Sequence, residues 1–443
     1  MQQLPINQIL NGDALQHLKE LPDQSIDMCM TSPPYWSLRD YGNETETIWD
    51  GDENCEHDFE IEIIKNPMDR GGKGQHDKGG MVGKMGDKTQ TKVRQGFCKK
   101  YGAWKGQLGL EPTFDLYIKH LCDIFDEVKR VLKKTGTLWV NLGDTYSSGN
   151  RGEQRPDPMN KKGRTDTYIP PNRLNCGVPD KCLTLIPFRF AIEMVNRGWI
   201  LRNTIIWHKR NCMPSSVKDR FTVDFEYLFF FSKNKKYYFE QQFEPLAEVS
   251  LKDRRKDKGR FEYNGKRKGV KGIQNAMCGI SSKGRNKRCV WTINPKPFKD
   301  AHFAVYPHEL CETPIRAGCP KYVCVKCGNP KVLEIERDGM SSAKLMKGKD
   351  KSHFQLEQGK KENIRAPREA FERKIIKKGY KPTCSCNAEF ESGIVLDPFF
   401  GSGTTGLVAL KQGKRFVGIE LNPKYIRIAK KRLKPFLEQA KLK

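Results

Sequence analysis

Apolar positions fall into short runs punctuated by turn residues, and two periodicities alternate along the chain. Ile26, Met28, Cys29 and Met30 make a run that stops at Pro33 and Pro34. Proline cannot continue a ladder and restricts the residue before it, so this pattern predicts a buried strand ending in a rigid turn, Thr31-Ser32-Pro33-Pro34-Tyr35-Trp36. Ahead of it, Asn11-Gly12-Asp13-Ala14 opens a segment in which Leu15, Leu18 and Leu21 share one helical face. Further on, Leu116, Ile118, Leu121, Phe125, Val128 and Leu132 recur near the 3.6-residue period, with Thr113 as the cap and Gly136 as the stop. A strand is expected over 137–144, a helix over 185–197 stopped by Gly198, and strands over 200–207, 227–232 and 290–294. The C-terminal part reads as strand 394–396, helix 404–412 and strand 415–419. This alternation predicts an α/β protein with a doubly wound sheet, which binds ligands at the C-terminal edge of its strands. Ser32 and Tyr35 stand at such an edge.

Charge narrows the partners. Lysine and arginine number 80 against 53 acids, for a net charge of +27. So basic a chain calls for a polyanion, nucleic acid before membrane, because no apolar run approaches the ~20 residues of a spanning helix. The 443 residues can hold a sizeable core and more than one folding unit. The opening Met1-Gln2-Gln3-Leu4-Pro5 lacks a secretory pattern, so a cytoplasmic location is expected. The excess charge is concentrated. Residues 250–290 carry 14 basic residues against three acids and little core-forming material. Phosphate contacts are therefore expected from Arg254, Arg255, Lys256, Lys266, Arg267, Lys268, Arg285, Lys287 and Arg288. Residues 151–173 are polar and form a further candidate DNA-facing loop. The basic loop 207–214 is either a phosphate or base contact or a solvated loop.

Fifteen cysteines, an odd number without a regular framework, fit a reducing compartment with some thiols as metal ligands. Cys324-x2-Cys327 and Cys384-x-Cys386 bracket a lysine-rich stretch and can make a four-thiolate structural zinc site, with Cys319 as a substitute ligand. The glycine- and lysine-rich stretch 51–105 reads as an inserted loop. Cys55, His57 and Cys98 flank it, and two readings stay open there: a three-ligand metal site or a solvated loop.

The most diagnostic stretch is 397–405, Asp-Pro-Phe-Phe-Gly-Ser-Gly-Thr-Thr, lying between a strand and a helix, with Glu420 ending the next strand. Glycines let the backbone approach a ligand, and an acid about 20 residues on can take two ribose hydroxyls. Together with Ser32-Pro33-Pro34-Tyr35, this loop resembles the DNA amino-methyltransferases of phage and bacterial type, which methylate cytosine N4 or adenine N6. In an unpermuted fold the cofactor loop comes first. Here it comes last, as in the β group of that family.

The resemblance implies a Rossmann-like, circularly permuted methyltransferase core that uses S-adenosylmethionine, with an inserted DNA-recognition region and a zinc-ribbon-like insertion. On it, 1–50 is the catalytic half, 51–105 the glycine-lysine insertion and 106–245 the continued core. Residues 246–300 are the basic recognition region, 301–319 the cofactor-pocket motif, 320–388 the zinc-binding insertion and 389–443 the cofactor half. Ser32, Pro33, Pro34 and Tyr35 would be catalytic. Asp13 would read the adenine amine of the cofactor or, on the residues alone, cap a helix or turn. Phe303 would wall the methionine end of the pocket, and Asp397, Phe399, Gly401, Ser402, Gly403, Thr404, Thr405 and Glu420 would form the rest. The resemblance also implies a cysteine three residues after Cys98, where Tyr101 stands.

The implied activity is methylation of cytosine N4 in duplex DNA by base flipping and direct transfer. Adenine N6 remains the alternative within the family. A catalytically inactive zinc-ribbon DNA-binding protein and an RNA methyltransferase are readings of other classes. A cognate restriction endonuclease and a homodimer are further partners that the resemblance implies, without an interface legible in the residues.

Overall fold

A computed structural model describes residues 4–52, 55–59, 62–64, 92–94, 96–147, 176–245, 285–296, 305–338 and 374–441. Eight strands form one sheet: β1 (Gln8–Asn11), β2 (Ile26–Thr31), β3 (Leu132–Leu142), β4 (Ile200–His208), β5 (Phe225–Ser232), β6 (Val290–Thr292), β7 (Ile394–Asp397) and β8 (Arg415–Glu420). Their order is β1-β8-β7-β2-β3-β5-β4-β6. The first five run parallel, β5 is antiparallel to both β3 and β4, and β6 lies parallel to β4 at the edge.

Both faces of the sheet are covered, as parallel strands require. Helices α1 (Ala14–Glu20), α2 (Phe114–Val131) and α3 (Ile186–Asn196) pack on one face. Helices α4 (His308–Gly318), α5 (Thr404–Lys411) and α6 (Pro423–Lys441) pack on the other. The two-residue period of the strands sorts side chains between them: Phe229 and Phe231 of β5 join the first core, Leu228 and Phe230 the second. All six residues of β2 are buried, which fits a mostly apolar sequence with no alternation; Asp27, the charged exception, is paired with Lys133.

The two ends of the chain meet at the centre of the sheet. Val395 and Leu396 of β7 pair in parallel with Met28 and Cys29 of β2, so the strand before the 397–405 turn lies beside the strand before the Ser-Pro-Pro-Tyr turn. The permuted order inferred from the motifs closes into one sheet by this pairing.

One boundary differs from the sequence expectation. Helix α2 ends at Val131, ahead of Leu132 and Gly136, and β3 starts at Leu132, whose backbone is already extended. The N–H groups of Gln24 and Ser25 take the carbonyls of Arg130 and Val131, and Lys133 pairs at 2.8 Å with the buried Asp27. These contacts draw the chain out of the helix before the glycine arrives. No described helix is long and apolar enough to cross a membrane.

Candidate active site

The C-terminal ends of β2, β3, β4, β7 and β8 and the start of the antiparallel β5 converge on a cleft of about 350 Å³. Its lining includes Asp13, Ser32, Pro33, Pro34, Tyr35, Phe399, Gly401, Ser402, Thr404 and Glu420. Ser32 and Glu420, almost 390 positions apart, thus line one cleft.

The Ser-Pro-Pro-Tyr turn is held from behind by three hydrogen bonds. The Tyr117 hydroxyl donates to the Pro34 carbonyl at 2.8 Å, the Trp36 indole N–H to the Glu111 carbonyl at 3.1 Å, and the Ser37 N–H to the Gly109 carbonyl at 2.7 Å. Gly143 permits the close seat of Tyr35, because a Cβ there would stand 2.6 Å from the Tyr35 ring.

On the cleft side, the polar groups of the turn enter a network that the sequence did not reveal. The Ser32 hydroxyl donates to Asn141 Oδ1 at 3.3 Å, and the Tyr35 hydroxyl lies 2.7 Å from Glu226 Oε2 and 3.0 Å from Asn141 Oδ1. The Asn141 amide nitrogen donates to the Tyr227 carbonyl at 3.0 Å and to Glu226 Oε2 at 3.2 Å. Lys209 closes the network by pairing with Glu226. Burial and the adjacent Glu226 push the Tyr35 phenol well above its ordinary range, so it stays a neutral donor. Asn141, Glu226 and Lys209 come from three different strands or strand ends. Only the sheet order unites them.

The opposite wall is built mostly from backbone. Gly403 takes φ +79°, and a Cβ there would stand 3.0 Å from the Ala429 Cβ, so only glycine turns the chain without strain. The Glu420 carboxylate accepts the Gly401 N–H at 2.6 Å and the Asn422 N–H at 2.8 Å. Burial nevertheless raises its pKa to about 7. Asp13 accepts the Gln16 N–H at 3.0 Å as N-cap of α1 while also lining the cleft, and burial raises its pKa as well. One carboxylate oxygen is tied to the helix, so capping and ligand contact are compatible.

Asp397, Gly403 and Thr405 sit behind this wall. Fully buried Asp397 accepts the Thr31 hydroxyl at 2.5 Å, the Phe399 N–H at 3.1 Å and the Tyr306 hydroxyl at 3.2 Å, tying β2, β7 and the segment before α4 into one piece. Tyr306 also bonds to Thr405. Phe303 lies outside the described residues.

The basic groups divide in the same way. Arg254, Arg255, Lys256, Lys266, Arg267 and Lys268 fall outside the described residues. Arg285 and Arg288 both pair with Glu244, through contacts of 2.7 and 2.6 Å, and the Lys287 ammonium lies 5.2 Å from the centre of the Trp291 ring. Away from the cleft, one ligand atom from each of Cys324, Cys327, Cys384 and Cys386 lies within 4.8 Å of the others, and none of these cysteines is in a disulfide. That spacing fits a tetrahedral thiolate site.

A two-faced α/β sheet with a glycine turn and a buried acid opposite a Ser-Pro-Pro-Tyr turn defines the nucleotide-cofactor methyltransferase class. The comparisons carry this further. Residues 26–326 and 343–431 match the family described as DNA methylase, the N6/N4 amino-methyltransferases, and the chain belongs to that family. It is 30% identical over 425 residues to the type II methyltransferase M.SmaI of Serratia marcescens, covering 96% of this chain and 90% of that protein. It is equally identical over 429 residues to M.Cfr9I of Citrobacter freundii, covering 96% and 87%. Among solved structures, the cytosine-N4-specific PvuII DNA methyltransferase aligns at a TM-score of 0.44 and 15% identity, over 97% of this chain and 89% of that one.

The substrate is DNA and the methyl donor is S-adenosylmethionine. The wall described above suits that donor: a backbone turn with the half-buried carboxylates of Asp13 and Glu420 lining the same cleft.

Proposed function

We propose that this chain is a site-specific methyltransferase acting on cytosine N4 in duplex DNA, within a restriction-modification setting, its relatives being named type II methyltransferases. The observation that carries the reading is Ser32, a neutral hydroxyl at the head of the Pro-Pro-Tyr turn, donating to Asn141 and so presenting its lone pairs to the cleft. Serine in this place is commoner among the cytosine-N4 members of the family, where aspartate marks many adenine-N6 members.

An aromatic amine is a poor nucleophile because its lone pair is delocalised into the ring. Ser32 Oγ and the Pro33 carbonyl accept hydrogen bonds from the two amine hydrogens and localise that pair, and the amine gives up one of these protons to solvent once it carries the methyl group. Bound S-adenosylmethionine supplies an electrophilic sulfonium methyl. Tyr35 stacks on the flipped base, while Glu226, Asn141 and Lys209 hold its hydroxyl and the Ser32 hydroxyl in place. No covalent intermediate is needed, so the catalytic gain comes from positioning and electrostatics. Flipping costs a few kcal/mol, offset by stacking and by these hydrogen bonds.

Asp13 takes the adenine amine of the cofactor, and Glu420 its ribose. Phe399, Gly401, Ser402 and Thr404 shape the pocket, and Phe303 contributes to its methionine end. The basic region 246–300 contacts the phosphates. Cys324, Cys327, Cys384 and Cys386 hold a structural zinc within 320–388. The enzyme works in the cytoplasm, where its DNA is.

Transfer of labelled methyl groups to unmethylated duplex DNA tests the assignment. The wild type should label the DNA, and Ser32→Ala should bind DNA and cofactor normally but transfer almost nothing. Near-normal transfer by Ser32→Ala would sink the proposed role.

A further inference from the structure

The cysteine cluster at 324–386 has a counterpart near the catalytic cleft. At Cys324 the chain forms a tight knuckle: the Cys324 N–H donates to the Asn329 carbonyl at 2.9 Å, and the Gly328 N–H returns to the Cys324 carbonyl at 2.9 Å. Gly328 has φ +71°, and the Cys324 sulfur accepts the N–H groups of Lys326 and Cys327. Residues 98–103 repeat this turn bond for bond. The Cys98 N–H donates to the Ala103 carbonyl at 2.7 Å, and the Gly102 N–H to the Cys98 carbonyl at 2.8 Å. Gly102 has φ +68°, and the Cys98 sulfur accepts the N–H groups of Lys100 and Tyr101.

The second arm matches too. Cys384-x-Cys386 faces the first knuckle, and Cys55-x-His57, with the same spacing, faces the second. The ligand atoms of Cys55, His57 and Cys98 lie within 4.8 Å of one another. His57 Nδ1 is buried with no hydrogen-bond partner among the described residues, a cost that a polar partner would remove. The His57 ring also contacts the Cys98 thiol, so one imidazole and two thiols converge on a single point.

We infer that Cys55, His57 and Cys98 hold a second zinc ion, in a knuckle of the same design in which Tyr101 stands at the sequence position of the fourth cysteine and supplies no ligand. The side chain of Tyr101 is 61% exposed and turned to solvent, leaving a coordination position for water. The ion pins residues 55–59 to 97–103. It thereby braces the hairpin of Thr47–Trp49 with Trp104–Gly106, from which Thr47 and Trp49 line the cleft. With three protein ligands in place of four thiolates, this ion is released to a chelator before the one at Cys324.

Zinc content of the purified full-length protein tests the inference independently of methyl transfer. The wild type should carry two zinc ions per chain, Cys98→Ser and His57→Ala one fewer than the wild type, and Tyr101→Cys two. Tyr101→Cys completes the knuckle at an exposed position, and it should slow release of the more labile ion several-fold. Cobalt substitution should give two distinguishable spectra, of which His57→Cys shifts only one. Zinc content unchanged by Cys98→Ser and His57→Ala, or release kinetics unchanged by Tyr101→Cys, would overturn the inference.

Discussion

The two walls of the cleft are made by different means. The cofactor wall is backbone: a turn of consecutive residues with Gly403 at φ +79° and the N–H groups of Gly401 and Asn422 aimed at one carboxylate. The base wall is side chains: Ser32, Tyr35, Asn141, Glu226 and Lys209, drawn from the ends of four strands and bonded largely to one another and to nearby carbonyls. A wall of backbone amides tolerates side-chain changes. A wall of mutually dependent side chains does not, because removing one leaves the others buried without partners.

That contrast can be broken at its strongest point first. Ser32→Ala and Tyr35→Ala should each lower kcat by about 10²–10³-fold or more while the cofactor Kd stays within a factor of a few, read by single-turnover transfer and calorimetry. Asn141→Ala should come next, at roughly 10–10²-fold in kcat, with Glu226→Gln somewhat milder because it keeps its shape but loses the charge paired with Lys209. If either changed only cofactor affinity, the network would belong to the other wall.

Glu420 sharpens the comparison through pH. Its pKa stands near 7 in the folded protein against an ordinary 4.5. The folded state therefore holds a proton more tightly than the unfolded chain, and the resulting stabilisation is complete below about 4.5 and fades as pH rises through 7. Binding runs the other way, since the ionised carboxylate is the better acceptor for ribose hydroxyls. Cofactor affinity should rise as pH passes through 7 and then level off, whereas Glu420→Gln should bind more weakly and without that dependence. The smallest effect is structural: Gly403→Ala forces a left-handed turn on a residue with a Cβ and should lower stability by about 1–2 kcal/mol, seen as a modest drop in Tm.

The same division explains what could be read in advance. The Asp-Pro-Phe-Phe-Gly-Ser-Gly-Thr-Thr turn, its strand and helix, and Glu420 lie within 27 residues and carry their geometry in glycine and proline, so local sequence was sufficient. Strand β2 was legible for the same reason. Asn141, Glu226 and Lys209 were not, because what unites them is the placement of β5 between β3 and β4. A single Asn at the end of an apolar strand gives no local sign of its partner 85 positions on. The repeat of the Cys324 knuckle at Cys98 was also hidden, since Tyr101 breaks the cysteine spacing while the backbone keeps the turn. Helix α2 stops short of Gly136 because Asp27 of β2 takes Lys133, and Gln24 and Ser25 just before that strand take the carbonyls of Arg130 and Val131.

The most direct test is the identity of the product. Incubating the purified protein with unmethylated duplex DNA and S-adenosylmethionine, digesting to nucleosides and separating them by mass spectrometry should yield N4-methylcytosine. N6-methyladenine instead would contradict the base assigned to Ser32, and no methylated nucleoside from a protein that binds the cofactor would contradict the catalytic account itself.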